Sequence, residues 1–333
     1  MAMPSKKRLL FALKAAVSLG LLGWLGARML ERDGVEALGD RLGGLDPLWL
    51  LGAIALHFVA VFAGVTRWRL LLRAARLEMG FGFLLRSFLV GRFVGAFTPS
   101  TTGLDGWRLF EVGRASGAMG RSAAAIAVEK LVGLVGMALV CTALVPLGGM
   151  RLMGEDALWL AALLGGGAAL GLWAMRAPRW VDGLARALPG PLAKKAGAAL
   201  DALRESRLSG GQLVRAVLLG VGSHLALSAV FFATARAVGV SIDASILLVV
   251  GNAIVIAVLL PLSIGGVGVR EGVAVVLLAT AGVSSTDAVL VALLGYLTGQ
   301  VPALLGGGLM AISRGAASTT GPAPVSPAET SVA

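Results

Sequence analysis

Long apolar runs broken by short, mostly basic links set the pattern of this chain. The first run, from Leu9 to about Leu30, follows Lys6, Lys7 and Arg8 and carries Lys14 inside it. Arg28 and Met29 stand where a small-x-small cleavage site would be expected, so the run predicts a retained helix, with Lys14 reaching back to the interface. A link over 31–46 mixes both signs of charge. The second run, 47–66, is bounded by Trp49 and Trp68, as in an interfacial aromatic belt. Arg67, Arg69, Arg73 and Arg76 follow it and predict a cytoplasmic end. Further runs cover 122–148, 157–175 (with Trp159, Trp173 and Trp180 near its ends), 213–236 and 288–312. At about 20 residues per crossing the pattern predicts an all-α polytopic membrane protein. The expected count is about eight transmembrane helices, re-entrant or broken ones included, with both termini cytoplasmic.

Two stretches resist a simple count. The run 81–98 is apolar but holds Arg86 and Arg92, and a full crossing there would place Arg108, Arg114 and Arg121 outside. A re-entrant hairpin avoids that, because non-helical backbone is tolerated at membrane depth where it lines a protein cavity. The pair 244–260 and 271–283 fits either two full spans or a hairpin. Each stretch adjoins a Pro-Gly loop. The later loop runs Pro261, Leu262, Ser263, Ile264, Gly265, Gly266, Val267, Gly268, Val269, Arg270, Glu271, and the earlier one carries Pro99, Gly103, Asp105, Gly106 and Arg108. Counted from each proline, glycine recurs at the fourth and seventh positions (Gly103 and Gly265, Gly106 and Gly268) and arginine at the ninth. This register predicts a duplicated element, and loops entering from opposite faces would make an inverted repeat.

Composition narrows the function. Hydrophobic residues make up 57% of the chain and charged residues 14%, so membrane solvation explains the sequence and a soluble domain does not. The net charge of +11 falls in short links, which speaks for topology and anionic lipid headgroups and against nucleic acid. The strongest such link, 176–212, has seven basic and three acidic residues and is expected to be cytoplasmic, with surface-lying amphipathic helices. Residues 1–314 read as one transmembrane domain and 315–333 as a disordered tail. Cys141 is the only cysteine, and His57 and His224 lack partners at ligand spacing, so neither a metal nor another cofactor is expected. The histidines and Asn252 read as polar bridges between helices, and the Gly91/Gly95 and Gly295/Gly299 pairs as close packing. Gly265, Gly266 and Gly268 imitate a nucleotide loop, yet no Gly-Lys-Ser/Thr follows. No catalytic constellation is readable, so a transporter is expected and an enzyme is not.

The candidate chemistry lies in the charges kept in or beside apolar runs, each costing about 2.5–3.5 kcal/mol at the bilayer centre on insertion scales. Proline stops each helix, glycine lets the backbone turn, exposed N–H groups face an anion, and arginine supplies a planar donor fork for phosphate. Arg108 and Arg270 are therefore the candidate headgroup-binding residues, with Asp105, Glu271, Gly103, Gly106, Gly265, Gly266 and Gly268 around them. Pro99 and Pro261 break the helices, while Glu129, Lys130 and Arg92 are candidates for balancing charge along a path. The plainer alternatives are interfacial turns whose arginines reach lipid phosphate, and an interhelical ion pair for Glu129 and Lys130.

At these loops the sequence resembles the lysylphosphatidylglycerol synthase transmembrane (flippase-like) family. The late family motif is met by Pro261, Ser263, Gly265, Gly266, Gly268, Arg270 and Glu271. The early one is met by Pro99, Gly103, Asp105 and Arg108, with Leu104 in place of a second glycine. Arg67, Trp68 and Arg69, and the pair Glu129 and Lys130, also resemble family features. The resemblance implies a lipid-handling domain of a bacterial cytoplasmic (inner) membrane, here expected to stand alone without the synthase domain. Across the family the resemblance implies an aminoacyl-phosphatidylglycerol as cargo in bifunctional members and a phospholipid or polyprenyl-phosphate lipid in stand-alone ones, and any of the three is a candidate here. Two other readings stay open: an intramembrane enzyme acting on a lipid phosphate, and an organiser of envelope-lipid synthesis. Membrane lipids are the expected partners, and a second copy of the chain or envelope-synthesis proteins are the open protein partners.

Overall fold

The computed structural model describes residues 39–96, 98, 102–174, 208–259 and 266–319, with a few isolated positions elsewhere. The expected first helix, Pro99, Pro261, Gly265, most of the 176–212 link and 320–333 lie outside the described residues. Those described form helices α1 (Pro47–Ala74), α2 (Phe81–Ala96), α3 (Thr102–Ser116), α4 (Met119–Leu144), α5 (Met150–Met153), α6 (Asp156–Ala174), α7 (Gly210–Ala237), α8 (Ala244–Leu259), α9 (Val269–Ala279) and α10 (Ser285–Thr319). No strand occurs among them.

Local chemistry sets the long helices. Asp46 caps α1 by accepting from the Leu48 N–H at 2.8 Å, and Pro47 sits in the first turn, where its missing donor costs nothing. Ser209 and Gln212 form a reciprocal capping box at the start of α7. A π-helical turn, Val145–Gly149, carries α4 into α5, and there Gly148 lets the backbone pass close to Ser245. α10 continues past Arg314 to Thr319 with Pro302 inside it.

Five helical stretches are long and apolar enough to cross a membrane: Pro47–Ala74, Met119–Met153, Asp156–Trp173, Gly210–Ala237 and Ser285–Ile312. The protein is an integral membrane protein of the all-α class. The described residues give five such helices. The expected count of about eight included re-entrant or broken helices and a first helix that lies outside the described residues. α8, at 16 residues, is about 24 Å long and α9, at 11, about 16 Å, against an apolar core of about 30 Å. Neither is long enough for a full span.

The echo seen in the loops extends through four helices. α1 and α7 are both 28 residues long and lie 163 positions apart (47 to 210, 74 to 237), and α2 and α8 are both 16 long at the same offset (81 to 244, 96 to 259). Each half goes on to a break, a short helix and a long one, α3 and α4 in the first, α9 and α10 in the second. Each half also has its own core. Trp68, Leu72 and Leu84 anchor one, and the residues 163 positions later, Phe231, Ala235 and Leu247, anchor the other. α1 and α7 pack antiparallel: the Asp46 N–H donates to Ala237 O at 3.0 Å, Trp49 meets Phe232, and at the far end Leu71 meets Leu213. Corresponding helices thus run in opposite directions.

Glycines set the closest approaches. Gly91 and Gly95 on α2 receive Leu104 of α3, and a Cβ on Gly91 would come within 2.9 Å of its side chain. Leu104 therefore has a packing role where the family pattern has a second glycine. On α10, Gly306 touches the Leu89 backbone, Gly299 receives His57 and Gly295 receives Phe231. The expected close packing at both glycine pairs is present.

Candidate functional site

Two charged clusters form where the short helices meet the long ones. The first joins α1, α3 and α4 around Glu129, which is 4% exposed. Its Oε1 accepts from Arg67 Nη2 at 3.3 Å and its Oε2 from Arg108 Nη1 at 2.8 Å. Arg108 also donates to Asp105 at 2.5 Å, and Lys130 Nζ reaches the other Asp105 oxygen at 2.5 Å. The Arg108 guanidinium lies 4.8 Å from the Trp68 ring centroid and 5.1 Å from that of Phe88. Such ring contacts are worth about 2 kcal/mol when desolvated. Gly220 makes room for Arg67, since a Cβ there would stand 3.2 Å from Nη1. Three cations thus share two carboxylates, mostly away from solvent.

This arrangement corrects several expectations. Trp68 is fully buried beneath Arg108 and is no part of an aromatic belt, whereas Trp159, 79% exposed, suits one. Arg67 is a buried ion-pair partner and not a mark of a helix end, so α1 continues to Ala74. Glu129 and Lys130, adjacent in sequence, do not pair with each other but engage different partners. Above all, both terminal nitrogens of Arg108 are taken up by carboxylates. Its donors are thus engaged inside the first cluster.

The second cluster forms on α10. Arg92 of α2 donates to Gly299 O at 3.0 Å, His57 of α1 bonds Gly295 O at 3.1 Å, and Arg270 of α9 lies over the Tyr296 ring at 4.5 Å. The two hairpins, one from each half, therefore converge on the stretch from Gly295 to Gly299. Arg270 is 5% exposed, and Glu271, 1% exposed, lies beside it at 3.9 Å. Glu271 mainly serves its own helix, accepting from the Gly268 N–H at 2.6 Å at the positive end of α9.

The loop glycines divide by role. Gly266 and Gly268 have φ of +77° and +84°, a region side-chain-bearing residues rarely enter. A Cβ on Gly266 would also come within 2.7 Å of Val258. Gly103 is held by packing: its N–H donates to Thr98 Oγ1 at 3.1 Å, and a Cβ would strike that side chain. Gly106 borders open space, and nothing there demands a glycine. Asn252 donates to Cys141 Sγ and joins α8 to α4, the bridging role expected of it. No group of three or more potential metal-binding side chains occurs among the described residues.

Sequence reasoning missed Arg67, Trp68 and Tyr296 as members of these clusters. The chain has one tyrosine, and its place three residues before Gly299 was the available signal.

The profile of the lysylphosphatidylglycerol synthase TM region matches residues 11–307, most of the chain and both clusters. The chain belongs to this family. No curated protein and no solved structure matches it. Membership in the lysylphosphatidylglycerol synthase TM family makes this a lipid-related membrane domain.

Proposed function

We propose that this protein is a lipid translocase of a bacterial cytoplasmic membrane, moving an anionic, phosphate-bearing lipid between leaflets. One observation carries the reading: Arg92 and Arg270, delivered by short hairpins from two oppositely directed halves, meet with His57 on one face of α10. Their charge exceeds that of Glu271, which is engaged at its helix N-terminus, so the site favours an anion. The two arginine forks suit phosphate oxygens. Short hairpins in inverted halves are also how many transporters place a site near the membrane midplane. In this reading α2–α3 and α8–α9 are re-entrant, and the acyl chains stay in lipid while the headgroup crosses past α10. The Glu129 cluster clamps the first hairpin to α1 and α4 and leaves headgroup binding to the second cluster.

An enzyme acting on lipid phosphate needs a carboxylate able to serve as base. Asp105, Glu129 and Glu271 are all held by cations or by a backbone donor, which favours translocation. The test is leaflet exchange of fluorescent phosphatidylglycerol and of a polyprenyl-phosphate lipid in proteoliposomes. Wild-type protein should exchange at least one of them, and Arg270→Ala and Arg92→Ala should lose about tenfold or more, the equivalent of a charge-assisted contact. Variants as active as wild type would overturn the site, and a wild type that moves neither lipid would overturn the translocase reading.

A further inference from the structure

A further group of arginines lies outside the two buried clusters. Where the C-terminal half of α1 packs against the N-terminal half of α7, an open groove of about 670 Å³ runs along the helix pair. One end is apolar, with Val59 and Leu218 in its walls and Gly222 on its floor. The other holds Arg69, Arg73 and Arg215, and no acidic residue among the described residues lines any part of it. Among the described residues none of these three arginines has an ion-pair partner, and Arg69 Nε is buried without a hydrogen-bond acceptor. Val59 to Arg73 is 14 residues, or about 21 Å of helix, while one leaflet contributes about 15 Å of apolar core. The groove is therefore long enough to accompany a lipid through one leaflet, apolar at one end and cationic at the other.

The repeat shows that this is not a general feature of the fold. The counterpart of Arg73, 163 positions on, is Arg236, which donates to Val240 O and Ile242 O at the end of its own helix and lies over Phe232. Phe232 in turn is the counterpart of Arg69, and it packs against Trp49. At that end of the α1–α7 pair the protein fills the space and binds its own arginine. At the groove end the described residues do neither.

We infer that this groove binds one anionic glycerophospholipid, its phosphate on Arg69, Arg73 and Arg215 and an acyl chain along Val59, Leu218 and Gly222. The seat is separate from the α10 cluster and does not depend on transport. Charge selects the occupant. The adjoining 176–212 link has seven basic residues against three acidic, so it would be repelled by the arginines.

The experiment is lipid retention by native mass spectrometry of the full chain in mixed micelles of phosphatidylglycerol and phosphatidylcholine. Wild type should keep one phosphatidylglycerol in preference to phosphatidylcholine. Each Arg→Gln change among the three should weaken retention by about fivefold, the effect of one basic residue at an anionic surface. Gly222→Phe keeps every charge, and the Gly222 Cβ position has no atom within 4 Å, so the new ring enters the groove without a clash. It should displace the lipid. The seat is refuted by equal retention in Arg69→Gln/Arg73→Gln/Arg215→Gln, which would leave the groove to a second copy or to the chain's own link. It is equally refuted if that triple variant loses retention but Gly222→Phe does not, which would reduce the effect to surface charge.

Discussion

Replacing Glu129 by Gln keeps the size of the side chain and one acceptor oxygen while removing the charge shared by Arg67 and Arg108. The cluster then has three cations against Asp105 alone. Breaking a buried pair by removing one partner costs about 3–5 kcal/mol, most of it from the charge left behind. Arg108 retains Asp105 at 2.5 Å and its two aromatic rings, which limits its loss. Arg67, 9% exposed, pairs with Glu129, and its Nε and Nη1 already lack acceptors among the described residues. The cost should therefore lie at the lower end, about 3 kcal/mol, nearly all of it through Arg67.

Thermal unfolding in a mild detergent measures this. At about 2–4 °C per kcal/mol, Glu129→Gln should melt roughly 6–12 °C below wild type. Glu155→Gln, on an exposed turn, should change nothing. Because the cost comes from an unpaired cation, adding Arg67→Met should recover part of it. The double variant should be more stable than the sum of the single changes by about 1 kcal/mol or more. A Glu129→Gln protein that melts with wild type, or single effects that simply add, would refute the claim that the shared carboxylate holds α1, α3 and α4 together.

Gly306→Val would drive its side chain into the Leu89 backbone, which cannot rotate aside. It should cost more than about 3 kcal/mol or prevent folding, whereas Gly308→Val, with open space around it, should be neutral in the same melt. Asp243 lies outside the membrane helices and caps α8. The Ser245 hydroxyl first, then the Ser245 N–H and Arg151, hold its carboxyl down to about 2. Its stabilising effect is present above the ordinary aspartate value, near 4, and is lost as pH falls towards 2. The stability difference between wild type and Asp243→Asn should therefore be full near neutral pH and vanish across that window. A difference unchanged at low pH would overturn the assignment.

Hydropathy located the long helices well, because a bilayer imposes length and apolarity on a sequence. The predicted 157–175 and 213–236 are matched closely by Asp156–Ala174 and Gly210–Ala237. It failed where an arginine is neutralised by a distant residue. Arg67 reads locally as the end of a span, and its carboxylate is 62 positions away on another helix. The same blindness misplaced Trp68, whose cover is a cation from α3. The glycine pairs were legible because small residues at four-residue spacing have one main use between helices. The loop register was legible too, but it describes a duplicated backbone and not how each copy is neutralised.

That last difference bears on the division of labour between the halves. Arg108 and Arg270 hold the same place after their prolines, yet the long helix that follows each offers different chemistry. The eleventh residue of α4 is Glu129, which binds Arg108, whereas the eleventh of α10 is Gly295, which presents a carbonyl to His57. From 288 to 312 α10 has no carboxylate at all. A duplicated element with a carboxylate facing each arginine would form two closed clamps with little attraction for an anion. With a carboxylate on the long helix of one half only, the first hairpin is fixed by ion pairs to that helix. In the second half the acid is Glu271 on the short helix, 3.9 Å from Arg270, so Arg92 and Arg270 together outweigh one carboxylate. Placing an acid at the second site should therefore inactivate it: Gly295→Asp would supply Arg270 and Arg92 with an internal counterion and compete with the lipid headgroup. A Cβ at Gly295 would come within 2.7 Å of the Phe231 ring, so Gly295→Asn, equally crowded but uncharged, is the control. Leaflet exchange should fall further in Gly295→Asp than in Gly295→Asn, and equal exchange by the two folded proteins would show that the headgroup crosses elsewhere.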